Sequence, residues 1–273
     1  MSLSVEVLIE SGPDIRHVDD LAASPNINER RDAARPEMLI MHYTGLESVE
    51  RSIDVLRDPA CQVSCHYVIN VDGRITQMVR EADRAWHAGK SYWHGITDIN
   101  SRSIGIEIQN PGHERGYPDF PEAQMQAVER LAADIIARNA IRPEMVLGHS
   151  DVAPQRKIDP GEKFDWPRLH RAGIGHWVAP RPLGATDNSA FAEQAAIACV
   201  SRVQLCEQLL TAYGYDVACN GVLDGETRRV ISAFQRHFRP ANVDGNPDAS
   251  TIATLRDLLA GLDLACLGAT PTV

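Results

Sequence analysis

The sequence predicts an α/β layer with a mostly covered sheet, followed by a small helical domain. Three observations carry that prediction. Short apolar runs interleave with a helix-spaced segment between residues 38 and 149. At 179–190 the texture breaks into Pro, Gly and small polar residues, APRPLGATDNSA, with little to bury. Beyond that break only helical spacing recurs.

The elements follow in chain order. Residues 1–36 are polar and turn-rich (SGPD, SPN, NERRDAARP) and read as an arm without a strong element. MLIMHY (38–43) is a compact apolar run, a buried strand ending at His42. HYVI (66–69) and RITQMV (74–79) flank an Asp72-Gly73 turn, the mark of a hairpin. In SIGIEIQN (103–110) Ile104, Ile106 and Ile108 face one way, and Gly105, Glu107 and Gln109 the other. From Pro121 to Asn139, Met125, Val128, Leu131, Ile135 and Ile136 fall at helix spacing, with Pro121 suited to the first turn. EMVLGH (144–149) is another short apolar run ending at a histidine. Three helical stretches follow the break: one through Val203, Leu205, Leu209 and Leu210, one through Val230, Ile231, Phe234 and Phe238, and one through Ile252, Leu255, Leu258 and Leu259. The expected domains are an arm at 1–36, an α/β domain at 37–178, a linker at 179–193 and a helical domain at 194–268. Asp224-Gly225 and Asp244-Gly245 lie twenty residues apart and hint at a loose repeat.

Composition narrows the function. The 273 residues hold 27 Lys and Arg against 37 Asp and Glu, a net charge of −10. A phosphate backbone needs a basic face, so nucleic acid is not an expected partner. No run approaches the ~18 apolar residues of a membrane helix. The opening MSLSVEVLIESGPD lacks a basic region and an unbroken apolar core, which predicts no Sec export from this start. Six cysteines (61, 65, 199, 206, 219, 266) leave two readings open, disulfides stapling the last third or small buried thiols. Without a CxxC pair, a cysteine zinc site is not expected.

Chemistry concentrates at strand ends. His42 closes MHYTG, His149 closes LGHSD, and Asp159 follows in RKIDPG. Two histidines and one carboxylate make a three-ligand zinc set with a fourth position for water. The ordinary alternative for each is a hydrogen-bonded core histidine. Glu107 is a carboxylate in the middle of an apolar strand, where it needs either a partner, such as Arg102 or Arg74, or a function as general acid/base. Lys157 stands two residues before Asp159, on the same side in extended chain, where its ammonium would stabilise an oxyanion. An adjacent Cys65-His66 pair suggests a thiol nucleophile, but strand neighbours point to opposite faces.

MHYTG, SCHYVI, AWHAG, SIGIEIQN and LGHSDVAPQRKIDPG occur in that order. Together they resemble the zinc-dependent N-acetylmuramoyl-L-alanine amidases of the type 2 family, over about residues 36–177. The resemblance implies a mixed central β-sheet flanked by helices and one Zn2+ per chain on His42, His149 and Asp159. It implies Glu107 as acid/base and Lys157 as oxyanion stabiliser. His66, Trp86, His87 and Asn110 fall where that family lines its substrate groove. LLTAYGYD, NGVLDGETRRVISAFQRHF and VDGNPDASTIATL resemble the peptidoglycan-binding-domain 1 family, a three-helix unit, with a first loop shortened so that Asp-Gly runs directly into ETRR. The implied partner is peptidoglycan or its muropeptide fragments, and the implied reaction is hydrolysis of the amide between N-acetylmuramic acid, or its 1,6-anhydro form, and L-alanine. Two alternatives accompany it: a recycling amidase for soluble anhydro-muropeptides, and a non-catalytic recognition module. The chemistry points to the periplasm or cell envelope, and the missing export signal to the cytoplasm.

Overall fold

A computed structural model of the chain describes residues 12–182 and 201–268. Strands β1 (Asp20–Leu21) and β2 (Ile27–Glu29) precede β3 (Met38–Tyr43), helix α1 (Val49–Arg57), β4 (Tyr67–Ile69), β5 (Ile75–Gln77) and β6 (Asp83–Ala85). Then come α2 (Ile99–Arg102), β7 (Ser103–Ile108), α3 (Glu122–Asn139), β8 (Val146–Gly148), α4 (His149–Val152) and α5 (Trp166–Arg171). The helical region comprises α6 (Arg202–Tyr213), α7 (Gly225–Phe238) and α8 (Ala249–Gly268).

Six strands form a mixed sheet in the order β1-β5-β4-β7-β3-β8. The β4–β5 pair is the antiparallel hairpin that the Asp72-Gly73 turn predicts, and the remaining pairs are parallel. Parallel strands buried on both faces read as near-continuous apolar runs. Met38, Leu39, Ile40 and Met41 fit that description, with no measurable exposure. The predicted helix over 121–139 forms as α3, entered at Pro121.

The arm departs from expectation. Residues 20–21 pair with β5, and β2 pairs with β6 in a second, two-stranded sheet. Arg30 is buried and donates to the carbonyls of Glu81, Asn100, Ser101 and Ser103. Elements of two or three residues held by backbone bonds leave no periodicity to read, so the α/β unit begins well before residue 37. Residues 1–11, 183–200 (most of the expected linker and the start of the expected helical domain) and 269–273 lie outside the described residues.

α6, α7 and α8 form the three-helix unit. Ser201 and Asp224 cap α6 and α7 by accepting from Gln204 and Thr227 N–H. The apolar cluster is continuous between the two units: it runs from the sheet through Trp93 into Tyr213, Tyr215, Phe234 and Phe238. Trp93 meets Tyr215 edge-on at 4.8 Å between ring centroids. Among the described residues no helix is long and apolar enough to cross a membrane. Cys61, Cys65, Cys206 and Cys219 are free thiols, and the side chains of Cys199 and Cys266 lie outside the described residues.

Candidate active site

Adjacent parallel strands deliver the key side chains to one place. β3 and β7 run in a register that sets His42 beside Glu107, and β8 ends at Gly148 so that His149 opens α4. Asp159 comes from the following loop, anchored where Ser150 N–H donates to its carbonyl. His42, His149 and Asp159 are all buried, and one ligand atom from each lies within 4.8 Å of the others. His42 Nδ1 is 2.9 Å from His149 Nδ1, and Asp159 Oδ2 is 3.2 Å from the first and 3.0 Å from the second.

The hydrogen bonds behind the rings settle which atoms carry protons. Ser103 Oγ donates to the Ile99 carbonyl, so it accepts from His87 Nε2 at 3.1 Å. His87 Nδ1 therefore holds a lone pair and accepts from His42 Nε2 at 3.0 Å. On the other side His149 Nε2 donates to the Ala88 carbonyl at 3.2 Å. Both Nδ1 atoms thus turn lone pairs toward the same point as the Asp159 carboxylate. Three lone pairs so placed repel each other unless a cation lies among them, and two imidazoles with one carboxylate are a common donor set for divalent metals. The residues present fit a metal ion.

Charge states agree with that arrangement. Burial and the neighbouring His149 push His42 down to about 4, so it stays neutral at neutral pH.

His149 and Asp159 line a groove of about 480 Å³, together with Tyr43, Trp86, His87, Glu107, Arg115 and Lys157. Among the described residues Glu107 makes no salt bridge: Arg102 pairs with Glu37 and Arg74 with Asp20. Its Oε2 is buried without a hydrogen-bond partner. Burial, with Asp159 nearby, raises its pKa well above the ordinary carboxylate value, and Lys157 opposes the rise. Cys65 sits fully buried, with its thiol donating to the Tyr67 carbonyl and its pKa raised by burial and by Glu107, which suits no nucleophile.

Of the four residues expected to line the groove, Trp86 and His87 border it. Trp86 Nε1 donates to Asn28 Oδ1, and His87 serves His42 as described. His66 and Asn110 are placed elsewhere. His66 has no measurable exposure; its Nδ1 accepts the Gly105 N–H and its Nε2 faces the Asp83 carbonyl. Asn110 is buried and braces its own loop, donating to the Pro118 carbonyl and accepting from Gly112 N–H. Neither is among the groove-lining residues, and each polar atom named has a protein partner.

Sequence reasoning missed three supports. Arg156 donates to the carbonyls of Ala88 and Lys90, holding the same Ala88 carbonyl that orients His149. Gly105 leaves room for His87: a Cβ there would stand 2.5 Å from its ring. Asp151 accepts from Gly148 N–H at 2.7 Å, beside His149. The clean alternation of SIGIEIQN was the available signal for Gly105, since a glycine on the face of Glu107 marks a close approach.

Residues 32–162 match the N-acetylmuramoyl-L-alanine amidase family, and residues 200–255 match a peptidoglycan binding domain family. The N-acetylmuramoyl-L-alanine amidase AmiD of Escherichia coli (strain K12) is 43% identical over 237 residues, covering 82% of this chain and 83% of that one. The 1,6-anhydro-N-acetylmuramyl-L-alanine amidase AmpD of the same organism is 37% identical over 166 residues, 54% of this chain and 87% of its own. Among solved structures, AmiD bound to its substrate anhydro-N-acetylmuramic acid-L-Ala-D-gamma-Glu-L-Lys superposes with a TM-score of 0.71 at 40% identity, covering 86% of this chain and 93% of that one. AmpDh3 from Pseudomonas aeruginosa superposes with a TM-score of 0.72 at 34% identity, covering 86% of this chain and 96% of that one. With both units matched in order and the His-His-Asp cluster at the foot of the groove, the chain belongs to the N-acetylmuramoyl-L-alanine amidase family.

Proposed function

We propose that this chain is a zinc amidohydrolase that cleaves the amide between N-acetylmuramic acid, or its 1,6-anhydro form, and L-alanine in peptidoglycan or muropeptides. The observation that carries the proposal is the convergence of two imidazole lone pairs and the Asp159 carboxylate beside an unpaired, buried Glu107 oxygen. When bound, zinc supplies a Lewis acid that lowers the pKa of water from ~15.7 toward ~7. His42, His149 and Asp159 would hold it, with His87 and Ala88 fixing the two rings. Glu107, whose pKa burial raises above the ordinary carboxylate value, takes a proton from the attacking water at its carboxylate and returns it to the leaving nitrogen. The Lys157 ammonium faces the groove and stabilises the negative charge that develops on the amide oxygen.

AmiD and AmpDh3 were solved with anhydro-muropeptides, which favours that ligand class for this groove. The helical unit's family match favours polymeric wall as a further substrate, in turnover or remodelling at the periplasm or cell envelope. Mass spectrometry of the products from purified sacculi and from a soluble anhydro-muropeptide, with and without a chelator, tests bond, metal and substrate size together. Free stem peptide beginning at L-alanine, lost on chelation and restored by zinc, is expected. Unchanged substrate, or release that chelation leaves intact, would refute the reading.

A further inference from the structure

Asp151 is 1% exposed, and a buried carboxylate needs donors to offset its lost hydration. Among the described residues three donors reach it. One is Gly148 N–H, from its own domain. The other two come from the helical domain: Tyr215 O–H at 2.6 Å to Oδ1 and His237 Nδ1 at 2.7 Å to Oδ2. Both side chains are themselves buried, at 1% and 3% exposure.

The grip lies directly against the metal ligands. Gly148 ends β8 and His149 begins α4, so by accepting from Gly148 N–H Asp151 fixes the Leu147–Gly148 peptide, one residue before His149. The His237 ring stacks on Trp166 at 3.7 Å between centroids, and Trp166 in turn packs against Gly148. A second contact holds the loop that carries Lys157 and Asp159: Gln155 donates to the Glu226 carbonyl at 3.1 Å and accepts from Arg229 Nε at 2.6 Å. A module that served only to hold polymer near the groove would need none of these bonds.

We propose that the helical domain is a structural part of the metal centre: by holding Asp151, Tyr215 and His237 act as positioning residues for His149. This rests on the assignment of His149 as a zinc ligand. Partners that orient a metal ligand typically change metal affinity by ~10–100-fold when removed, so a loosened Leu147–Gly148 peptide, which carries the chain into His149, should weaken zinc binding whatever the size of the substrate.

The test uses the full chain with three variants. Tyr215→Phe removes one oxygen and keeps the ring. His237→Phe keeps the stack on Trp166 and loses the donor, whereas His237→Asn keeps a donor nitrogen at the same reach and loses the stack. The zinc dissociation constant is measured by competition with a chromophoric chelator, and kcat and KM on a soluble anhydro-muropeptide. Tyr215→Phe and His237→Phe should each weaken zinc about tenfold and lower kcat with KM unchanged, while His237→Asn stays within about twofold of wild type. Folded Tyr215→Phe and His237→Phe variants with wild-type zinc affinity would overturn the proposal. So would a loss of zinc affinity in His237→Asn with His237→Phe at the wild-type value, since the stack on Trp166 alone would then account for it. If His237→Phe does not fold, Tyr215→Phe decides. A wild-type chain that takes up no zinc defeats the metal assignment and this proposal together; a zinc-binding wild type with indifferent variants defeats this proposal alone.

Discussion

Glu107 stands one ladder position across from His42, and Lys157 lines the same groove from the opposite loop. In the proposed mechanism their roles separate from those of the metal-holding residues. Removing a general acid/base costs ~10²–10⁴ in rate, and removing an oxyanion stabiliser ~10²–10³. Purified Glu107→Ala and Lys157→Ala should therefore lose turnover by those factors while keeping metal, as read by elemental analysis. His149→Ala should lose the metal itself. Near-normal turnover in Glu107→Ala would remove it from the proton-transfer role. At this scale the sequence was informative where chemistry is out of place: a carboxylate inside SIGIEIQN needs explaining, and among the described residues it makes no salt bridge. It was uninformative where function runs through hydrogen bonds to backbone. Nothing in AWHAG says that its histidine braces His42, or that Ala88 offers its carbonyl to His149 and Arg156.

Among the elements, the central parallel strands were the most legible, because burial on both faces leaves an unmistakable apolar run in MLIMHY. The strands of the arm were not, because β1 and β2 are two and three residues long and held by backbone pairing. Strand β7 illustrates how tightly an element can be specified. Gly105 is there for space: its backbone is not in the left-handed region, yet an added Cβ would stand 2.5 Å from the His87 ring. Gly105→Ala must displace that ring or bend β7, and overpacking of this kind typically costs ~1–3 kcal/mol. We expect a lowered melting temperature and, because His87 holds His42, weaker zinc binding by chelator competition. Unchanged affinity in a folded Gly105→Ala variant would mean that His42 is held without His87.

Across the whole molecule, burial makes the fold acid-sensitive. His42, His66 and His87 are all held below the usual histidine range, chiefly by desolvation, and His42 falls from 6.5 to about 4. The unfolded chain binds protons at these sites before the folded one does. Stability is therefore complete above about 6.5 and lost as pH falls from there through the folded values. His42 alone contributes roughly 3 kcal/mol to that loss. The melting temperature of metal-stripped protein should drop by several degrees between pH 7.5 and 4.5, at ~2–4 °C per kcal/mol for a chain of this size. A flat profile would show that these rings are not buried in the neutral form. The division into an α/β unit and three helices was readable from the change in texture after Trp177. Their shared core was not, because an aromatic such as Trp93 or Tyr215 looks the same in sequence whether it packs within its own unit or across a boundary.

The donor atoms that meet at His42 come from positions 107 and 117 residues further along the chain. No local segment can assemble them, so capture of an ion there is available only to the folded molecule. By mass action, a site held at a hundredfold excess of free ion over its dissociation constant adds ~2.7 kcal/mol to the resistance to unfolding. Under the proposed metal assignment, ambient metal supply would set both the working rate of this protein and its lifetime against proteases, and a sequestering environment would shorten that lifetime as well as silence the chemistry.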